Sequence, residues 1–286
     1  MYVVAGVSGH TGAVVASTLL EQGHQVRVIV RTAEKGEAFR KRGAEVAVAD
    51  LGDVAALTKA LTGATAAYLL SPPNFAAADF LADRATLVAN MGEAVTKAGL
   101  KRLVFLSSVA AQHPAGTGPI VSVHRAEQTF SKLVPSVTFI RAAYFLENWG
   151  SMVPVAKGQG VLPHFGPVDV KFSQVSTRDI GLAAVKALLE PADGVRIVEL
   201  AGHQDWSVQD IAQALGSLLG KPVQAVSAPV EGAKAGLLQA GVPEPMATLY
   251  AEMYQGMGKG LVSFEHPGTV TRGSTPLLDA LKPLVG

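Results

Sequence analysis

Short apolar runs alternate with amphipathic segments through the first half of the chain. Tyr2–Ala5, Gln25–Val30, Glu45–Ala49, Ala66–Leu70, Leu103–Leu106 and Val137–Ile140 are rich in β-branched residues, bounded by Gly, Pro or charge, and mostly apolar throughout. Strands buried on both faces of a parallel sheet read that way, whereas half-solvated strands alternate. Between them, helical spacing marks Thr11–Gln22, Ala33–Arg42, Val54–Leu61, Ala76–Ala98 and Val121–Leu133. Gly23, Gly43, Gly63 and Gly99 follow four of these segments, where a helix-ending glycine belongs. Alternating strands and helices need right-handed crossovers. They predict an α/β fold with a doubly wound parallel Rossmann sheet, order 3-2-1-4-5-6 plus a further strand.

After Arg141 the rhythm changes. Residues 142–175 carry many Gly and Pro residues, as in GQGVLPHFGP, and read as loops with short strands. A helix at Thr177–Leu189 and a strand at Val195–Leu200 return to the main pattern. From Ser207 a helix runs to Leu219, a short strand lies near Val223–Val226, and further helices reach the C-terminus. The expected division is a dinucleotide-binding domain from 1–141 and 176–204. A smaller mixed α/β lobe takes 142–175 and 205–286.

The junction of the first strand and helix carries Gly6, Gly9 and Gly12 in GVSGHTG. Glycine weakens both element types, so three there need a reason. In a dinucleotide loop the first permits the turn, the second admits a pyrophosphate, and the third lets helix and strand pack closely. The helix N-terminus adds positive potential. Ser8, His10 and Thr11 are polar loop residues within reach of phosphate. About 20 residues on, an NAD site places an acid against the ribose 2′-hydroxyl. Here the second strand ends in Arg31, with Lys35 a turn later. A guanidinium pairs with a 2′-phosphate that an acid would repel, so NADP(H) is expected in preference to NAD(H). Glu34 and Glu37 lie close by and dilute that field. Asp50, ending the third strand, is placed either to hydrogen-bond the adenine amino group or to cap the next helix.

Composition removes other function classes. The 286 residues hold 24 Lys and Arg against 23 Asp and Glu, a net charge of +1, which argues against a nucleic-acid partner. There is no cysteine, so disulfides and thiolate chemistry are excluded. The seven histidines are scattered without ligand spacing, and no metal is expected. No charged leader precedes the first apolar run, and no stretch approaches the roughly 20 apolar residues of a membrane helix. A cytoplasmic protein, monomer or homodimer, is expected.

GVSGHTG, VIVRTAEKG, YLLSPPN, KRLVFLSSVA, VHRAEQTF, VTFIRAAYFLENW, TRDIGLAAVKALLE and TVTRGSTPLLDAL occur in an order that resembles the NmrA-like family, across essentially the whole chain. These are atypical short-chain dehydrogenases; the chain is similar in particular to members acting as NAD(P)H:quinone oxidoreductases, while others are redox-sensing regulators. The resemblance implies that Leu70, Ser71 and Pro72 line the nicotinamide side of the cleft. It implies that Tyr144, Phe145, Glu147 and Asn148 border the substrate pocket, and Phe75 joins them as a substrate-binding candidate. Ordinary short-chain dehydrogenases carry a Tyr-x-x-x-Lys acid on the helix after the fifth strand. The corresponding positions are Ile120 and His124, and Glu127 matches an acidic residue of the NmrA-like members.

Ile120 donates no proton, which disfavours reduction of simple ketones. Hydride addition to a quinone yields a weakly basic hydroquinone anion that water can protonate, so positioning can supply much of the rate. His124 either polarises the carbonyl as the catalytic residue or hydrogen-bonds ribose or backbone. Ser107 and Ser108 are expected to contact the cofactor. Tyr144, Phe145 and Trp149 form either a stacking wall for a planar, quinone-like substrate or plain packing. The leading expectation is an NADPH-dependent reductase of planar electrophiles. The alternative is a non-catalytic NADP sensor acting on a protein partner; an isoflavone-reductase-like enzyme ranks below both, for want of a lysine at His124.

Overall fold

In a computed structural model, which describes every residue except Pro191, the alternation is realised along the first half of the chain. β1 (Tyr2–Val4), α1 (His10–Glu21), β2 (Val26–Val30), α2 (Glu37–Arg40), β3 (Glu45–Val48) and α3 (Val54–Leu61) come first. β4 (Ala66–Leu70), α4 (Phe80–Lys97), β5 (Arg102–Ser108), α5 (Val121–Leu133) and β6 (Ser136–Ala142) follow. The chain then leaves the sheet through β7 (Tyr144–Phe145), α6 (Val153–Gln159), β8 (Val161–Phe165) and β9 (Phe172–Val175). It returns with α7 (Thr177–Leu189) and β10 (Gly194–Ala201). The remainder is β11 (Asp205–Trp206), α8 (Val208–Leu219), β12 (Gln224–Ala228), α9 (Ala233–Gln239), α10 (Glu244–Gly258), β13 (Thr271–Arg272) and α11 (Leu277–Val285).

The main sheet runs β3-β2-β1-β4-β5-β6-β10-β13, every pair parallel. The expected order is therefore present, β10 is the further strand, and the two-residue β13 extends it. Strand residues divide between two layers. Val4, Tyr68, Val104 and Ile140 pack towards α1 and α7, and Val3, Leu69, Phe105 and Phe139 towards α3, α4 and α5. Both faces are dry, as uniformly apolar strands require. A third cluster around Trp149, Leu162, Ile211, Leu215 and Leu281 belongs to the 142–175 and C-terminal segments, with small sheets β11-β9-β7 and β12-β8.

Three departures from the sequence expectation have local causes. The helix expected over Ala33–Arg42 is a 3-10 turn at Ala33–Gly36 followed by α2. Gly36 is pressed so close to Val46 that an added Cβ would lie 2.6 Å from Val46 Cγ1, and the chain bends there. The long helix starts at Phe80 rather than Ala76, because the Asp79 carboxylate caps it by accepting from Ala82 N at 2.9 Å. The 142–175 segment contains a helix, α6, which opens with Pro154 in its first turn and closes on Gly160 at φ +69°.

β3 ends at one edge and β4 returns beside β1, so the loops after β1 and β4 flank a topological switch point, where ligands of such sheets bind. The floor of that crevice depends on α1 lying tight against α7. Gly181 permits the approach, since a Cβ there would sit 2.5 Å from Val14 Cβ. We expect Gly181→Ala to destabilise the fold by about 1–2 kcal/mol despite alanine's better helix propensity. Urea unfolding followed by circular dichroism measures it, and unchanged stability would refute the contact.

Candidate functional site

The three glycines of the first loop have three different reasons. Gly6 sits at φ +71°, a turn that L side chains rarely adopt, with Leu70 directly above it. Gly12 presses the start of α1 onto β1: a Cβ would lie 2.4 Å from the carbonyl oxygen of Ala5. Gly9 is exposed, and a Cβ there would meet only Gly6 O at 3.4 Å. It caps α1 without a side-chain hydrogen bond, and no acid occupies the first turn. Gly9 N donates to Gly6 O at 2.9 Å, so the free N–H groups are those of the first turn of α1, which opens at the exposed His10 beside the exposed Ser8, a cradle for an anion. Thr11 is buried and its hydroxyl accepts from the Tyr68 phenol at 3.0 Å, so its oxygen is partly committed to locking α1 onto β4.

Arg31 and Lys35 are exposed and form no ion pair among the described residues. The two neighbouring acids are engaged elsewhere. The backbone of its own turn and the Thr32 hydroxyl hold the Glu34 carboxyl below its usual range, and Glu37 pairs with Arg40 at 2.6 Å. Asp50 does not cap α3; Asp53 does, accepting from Ala56 N at 3.0 Å. Asp50 Oδ1 instead accepts from Gly52 N at 2.8 Å, which leaves Oδ2 over. At the end of β4, Leu70 packs against Gly6, and the Ser71 hydroxyl is buried without a partner. A buried orphan hydroxyl calls for a ligand or water. The Pro72 carbonyl accepts from Arg84, and Phe75 stands 48% exposed on the loop that follows.

The carboxyl end of β5 is less free than expected. Ser107 donates to Glu127 Oε1 at 2.5 Å, and Glu127 forms a two-point pair with Arg141 at 3.0 and 2.8 Å. Arg141 Nη1 reaches Glu265 at 2.6 Å, while the Glu199 carboxylate accepts the backbone N–H groups of Glu265 and His266. Register places Ser107, Arg141 and Glu199 side by side across three strands. The hydroxyl hydrogen of Ser107 is therefore spent on the protein, and only its lone pairs remain. Ser108, half-buried, lies beside Ala142. His124 Nδ1 lies 2.7 Å from the Ala111 carbonyl, which only accepts, so Nδ1 carries a hydrogen and Nε2 is the acceptor of the neutral ring. That carbonyl follows Ala110, the one non-glycine at positive φ among the described residues (+69°), a strained turn of the kind found at functional sites. Ile120 closes a 3-10 turn just before α5.

Of Tyr144, Phe145 and Trp149, the structure brings Tyr144 and Trp149 together and sends Phe145 elsewhere. Tyr144 and Phe145 are neighbours in β7 and point to opposite faces; Phe145 joins the main-sheet core and Tyr144 the third cluster. The Glu147 carboxylate is committed to the start of α7, accepting from Thr177 N at 2.9 Å and Thr177 Oγ1 at 2.6 Å. Asn148 is exposed. Tyr144 and Trp149 do meet, and the rings that join them are ones the sequence pattern did not single out. Tyr144 lies 5.6 Å from Trp149 and 5.9 Å from Phe172, and His164 lies 6.2 Å from Trp149 and 5.8 Å from Tyr254, centroid to centroid. Tyr250 and Tyr254, one turn apart on α10, were the sole local signal, an i,i+4 aromatic pair.

The profile of the NmrA-like family matches residues 2–267. The chain belongs to the NmrA-like family. Among characterised relatives it is 28% identical to quinone oxidoreductase 2 of Escherichia coli over 266 residues, covering 91% of this chain and 89% of that protein. It is 26% identical to the NAD(P)H azoreductase of Xenophilus azovorans, over 89% of this chain and 86% of that one. The crystal structure of the NADPH-dependent quinone oxidoreductase of E. coli complexed with NADPH superposes with a TM-score of 0.83 at 26% identity, over all of both chains. The Citrobacter triphenylmethane reductase shares the fold, with a TM-score of 0.80 at 24% identity over 99% and 100% of the two chains.

Burial lowers the affinity of His164 for a proton from its ordinary value of 6.5. The unfolded chain then binds a proton that the folded chain resists, so stability is complete above about pH 6.5 and declines as pH falls towards the folded value. His164→Phe, which keeps a ring in the cluster, should flatten that part of the pH–stability curve. Thermal unfolding of both proteins between pH 5 and pH 8 checks it, and parallel curves would refute it.

Proposed function

We propose that this protein is an NADPH-dependent oxidoreductase that passes a hydride to a quinone or a similar planar electrophile. The observation that carries the reading is the open, uncapped α1 N-terminus above Gly9, with unpaired Arg31 and Lys35 at the end of the next strand. The activities of the quinone oxidoreductase and azoreductase relatives support the same class. Residues 1–141 and 176–204 would form the nucleotide domain and 142–175 and 205–286 the substrate lobe, although Thr271–Arg272 rejoins the main sheet. Gly6, Ser8, Gly9, His10, Thr11 and Gly12 would hold the diphosphate, Arg31 and Lys35 the 2′-phosphate, and Asp50 Oδ2 the adenine. Leu70, Ser71 and Pro72 would border the nicotinamide, with Ser108, the Ser107 lone pairs and His124 Nε2 beside them.

A bound reduced nicotinamide supplies the hydride. What the chain contributes is placement, because Ile120 offers no proton and Ser107 has already given its hydrogen to Glu127. His124, held by Ala111, accepts through Nε2 when neutral and so suits a ribose hydroxyl. The reduced quinone leaves as a weakly basic anion and takes its proton from water. Phe75, Tyr144 and Asn148 would contact the acceptor; Phe145, half-buried, packs against the main-sheet core on the other face of β7. Without an acceptor reaction the same site would serve as an NADP sensor.

NADPH should bind at least tenfold more tightly than NADH, about 1.4 kcal/mol, and Arg31→Ala should close most of that gap in calorimetric titration. Gly9→Val should remain folded by circular dichroism and lose nucleotide binding. NADPH consumption should be robust with a benzoquinone and a naphthoquinone and absent with a methyl ketone. In His124→Ala, a kcat loss under about tenfold marks a ribose contact and one near 10²-fold a general acid. Rapid ketone reduction refutes the missing acid, and tight NADPH binding without turnover on any planar acceptor favours the sensor.

A further inference from the structure

Three phenols converge in the lobe beyond β6. Tyr144 stands two residues past Ala142, which is paired with Ser108, so it rises from the carboxyl edge of the sheet. Tyr250 and Tyr254 come from one face of α10, and the three phenols lie within electrostatic reach of one another. Behind them His164 stacks on Phe172 with centroids 6.5 Å apart and planes 11° from parallel, and Trp149 is fixed by donating to Gln174 at 2.8 Å. Tyr144, His164, Phe172, Tyr250 and Tyr254 are all half-buried, so each keeps part of its surface open. The same helix α10 also touches the segment leading to α5: Glu252 Oε1 accepts from Gly116 N at 2.8 Å. Tyr250, Tyr254 and the segment leading to His124 are thus held by one element.

The set carries no formal charge at neutral pH. Burial pushes all three phenols up and His164 down, which keeps every one of them neutral. The nearby charged groups are committed elsewhere. Glu252 is bound to Gly116 and Glu147 to Thr177, and the exposed Lys171 lies towards Asp210, whose carboxyl it helps hold down. Asn148 lies close to the Tyr144 phenol, and Tyr250 and Tyr254 have no protein acceptor among the described residues. Hydroxyl donors beside flat rings suit a flat, uncharged ligand that accepts hydrogen bonds; an anion would lose its hydration and gain no cation in return.

We infer that Tyr144, Tyr250 and Tyr254, backed by Trp149, His164 and Phe172, form a charge-selective acceptor site that admits neutral planar carbonyl compounds and rejects anionic ones. The inference rests on the reductase reading for its ligand class, and its test separates the two. One arm compares kcat/KM for 1,2-naphthoquinone and 1,2-naphthoquinone-4-sulfonate. Tyr250→Lys should shift that ratio towards the sulfonate at least tenfold, and Tyr254→Phe should lower turnover of the neutral quinone while leaving NADPH affinity unchanged. Using the change in ratio cancels the intrinsic reactivity of the two quinones. The second arm needs no turnover and leaves the six proposed site residues as they are. In Trp206→Phe the remaining tryptophan is Trp149, and with NADP+ bound its emission should be quenched saturably by 1,2-naphthoquinone and far less by the sulfonate. Quenching without catalysis upholds the site and removes the reductase reading. Catalysis with Trp149 emission unchanged overturns the site and leaves the reductase reading in place. Equal quenching by both quinones, or an unmoved ratio in a folded Tyr250→Lys protein, overturns the charge selection. Neither quenching nor turnover overturns both.

Discussion

Arg141 is the charge around which the carboxyl edge of this molecule is arranged. It is 4% exposed in the middle of the sheet, where an unpaired guanidinium would cost several kcal/mol. Two carboxylates offset that cost, and they come from different parts of the chain: Glu127 from α5 and Glu265 from the C-terminal segment. One buried cation therefore fixes a helix and the tail to the same strand. The neighbouring Glu199 adds two backbone N–H contacts to that tail, so the segment before β13 is held by charge where it has little apolar surface to bury. Breaking one partner would leave the others buried and unpaired, so the arrangement behaves as a unit.

The same device recurs with Asp179 and Glu147. Asp179, buried at the start of α7, accepts from the backbone of Ser274 and Thr275, and Gly273 lies so close that a Cβ would be 2.3 Å from its Oδ2. Glu147 binds the first turn of that helix from the opposite side in sequence. Buried carboxylates satisfied by main-chain N–H groups tie the segments that leave the sheet back to its edge. These contacts hold the segments that carry the aromatic set against the carboxyl edge of the sheet.

What the sequence made legible was local. β4, α3, α5 and α7 have the bounds their apolar patterns and caps predict, because period and capping are written in adjacent residues. The bend at Gly36 was not legible, since it answers to Val46 on another strand. Nor was β13, whose two residues carry no periodic signal. In the site, the glycine loop could be read because each glycine has a backbone reason. Of the aromatic set only Tyr144 and Trp149 could be read, because the other rings come from positions 164 to 254 and meet them only through the fold. The opposite orientation of Tyr144 and Phe145 was available from the two-residue period of a strand. The commitment of Ser107 needed Glu127 placed across from it by helix α5.

These constraints bear jointly on chemistry. On the proposed reading, where a short-chain dehydrogenase would keep its proton donor, this chain offers an aliphatic Ile120, a serine already donating to a carboxylate, and a histidine whose Nδ1 hydrogen is spent on a backbone carbonyl. Supplying an acid there would mean freeing Ser107 from Glu127, which would loosen Arg141 and with it the tail. The structural role of the Arg141 cluster is thus in conflict with acid catalysis at that position. An acceptor whose reduced form needs no enzyme-borne proton resolves the conflict, and aromatic stabilisation of the product is the property that confers this. The uncharged rings of the lobe favour the same class of molecule on independent grounds, through shape and desolvation rather than proton supply.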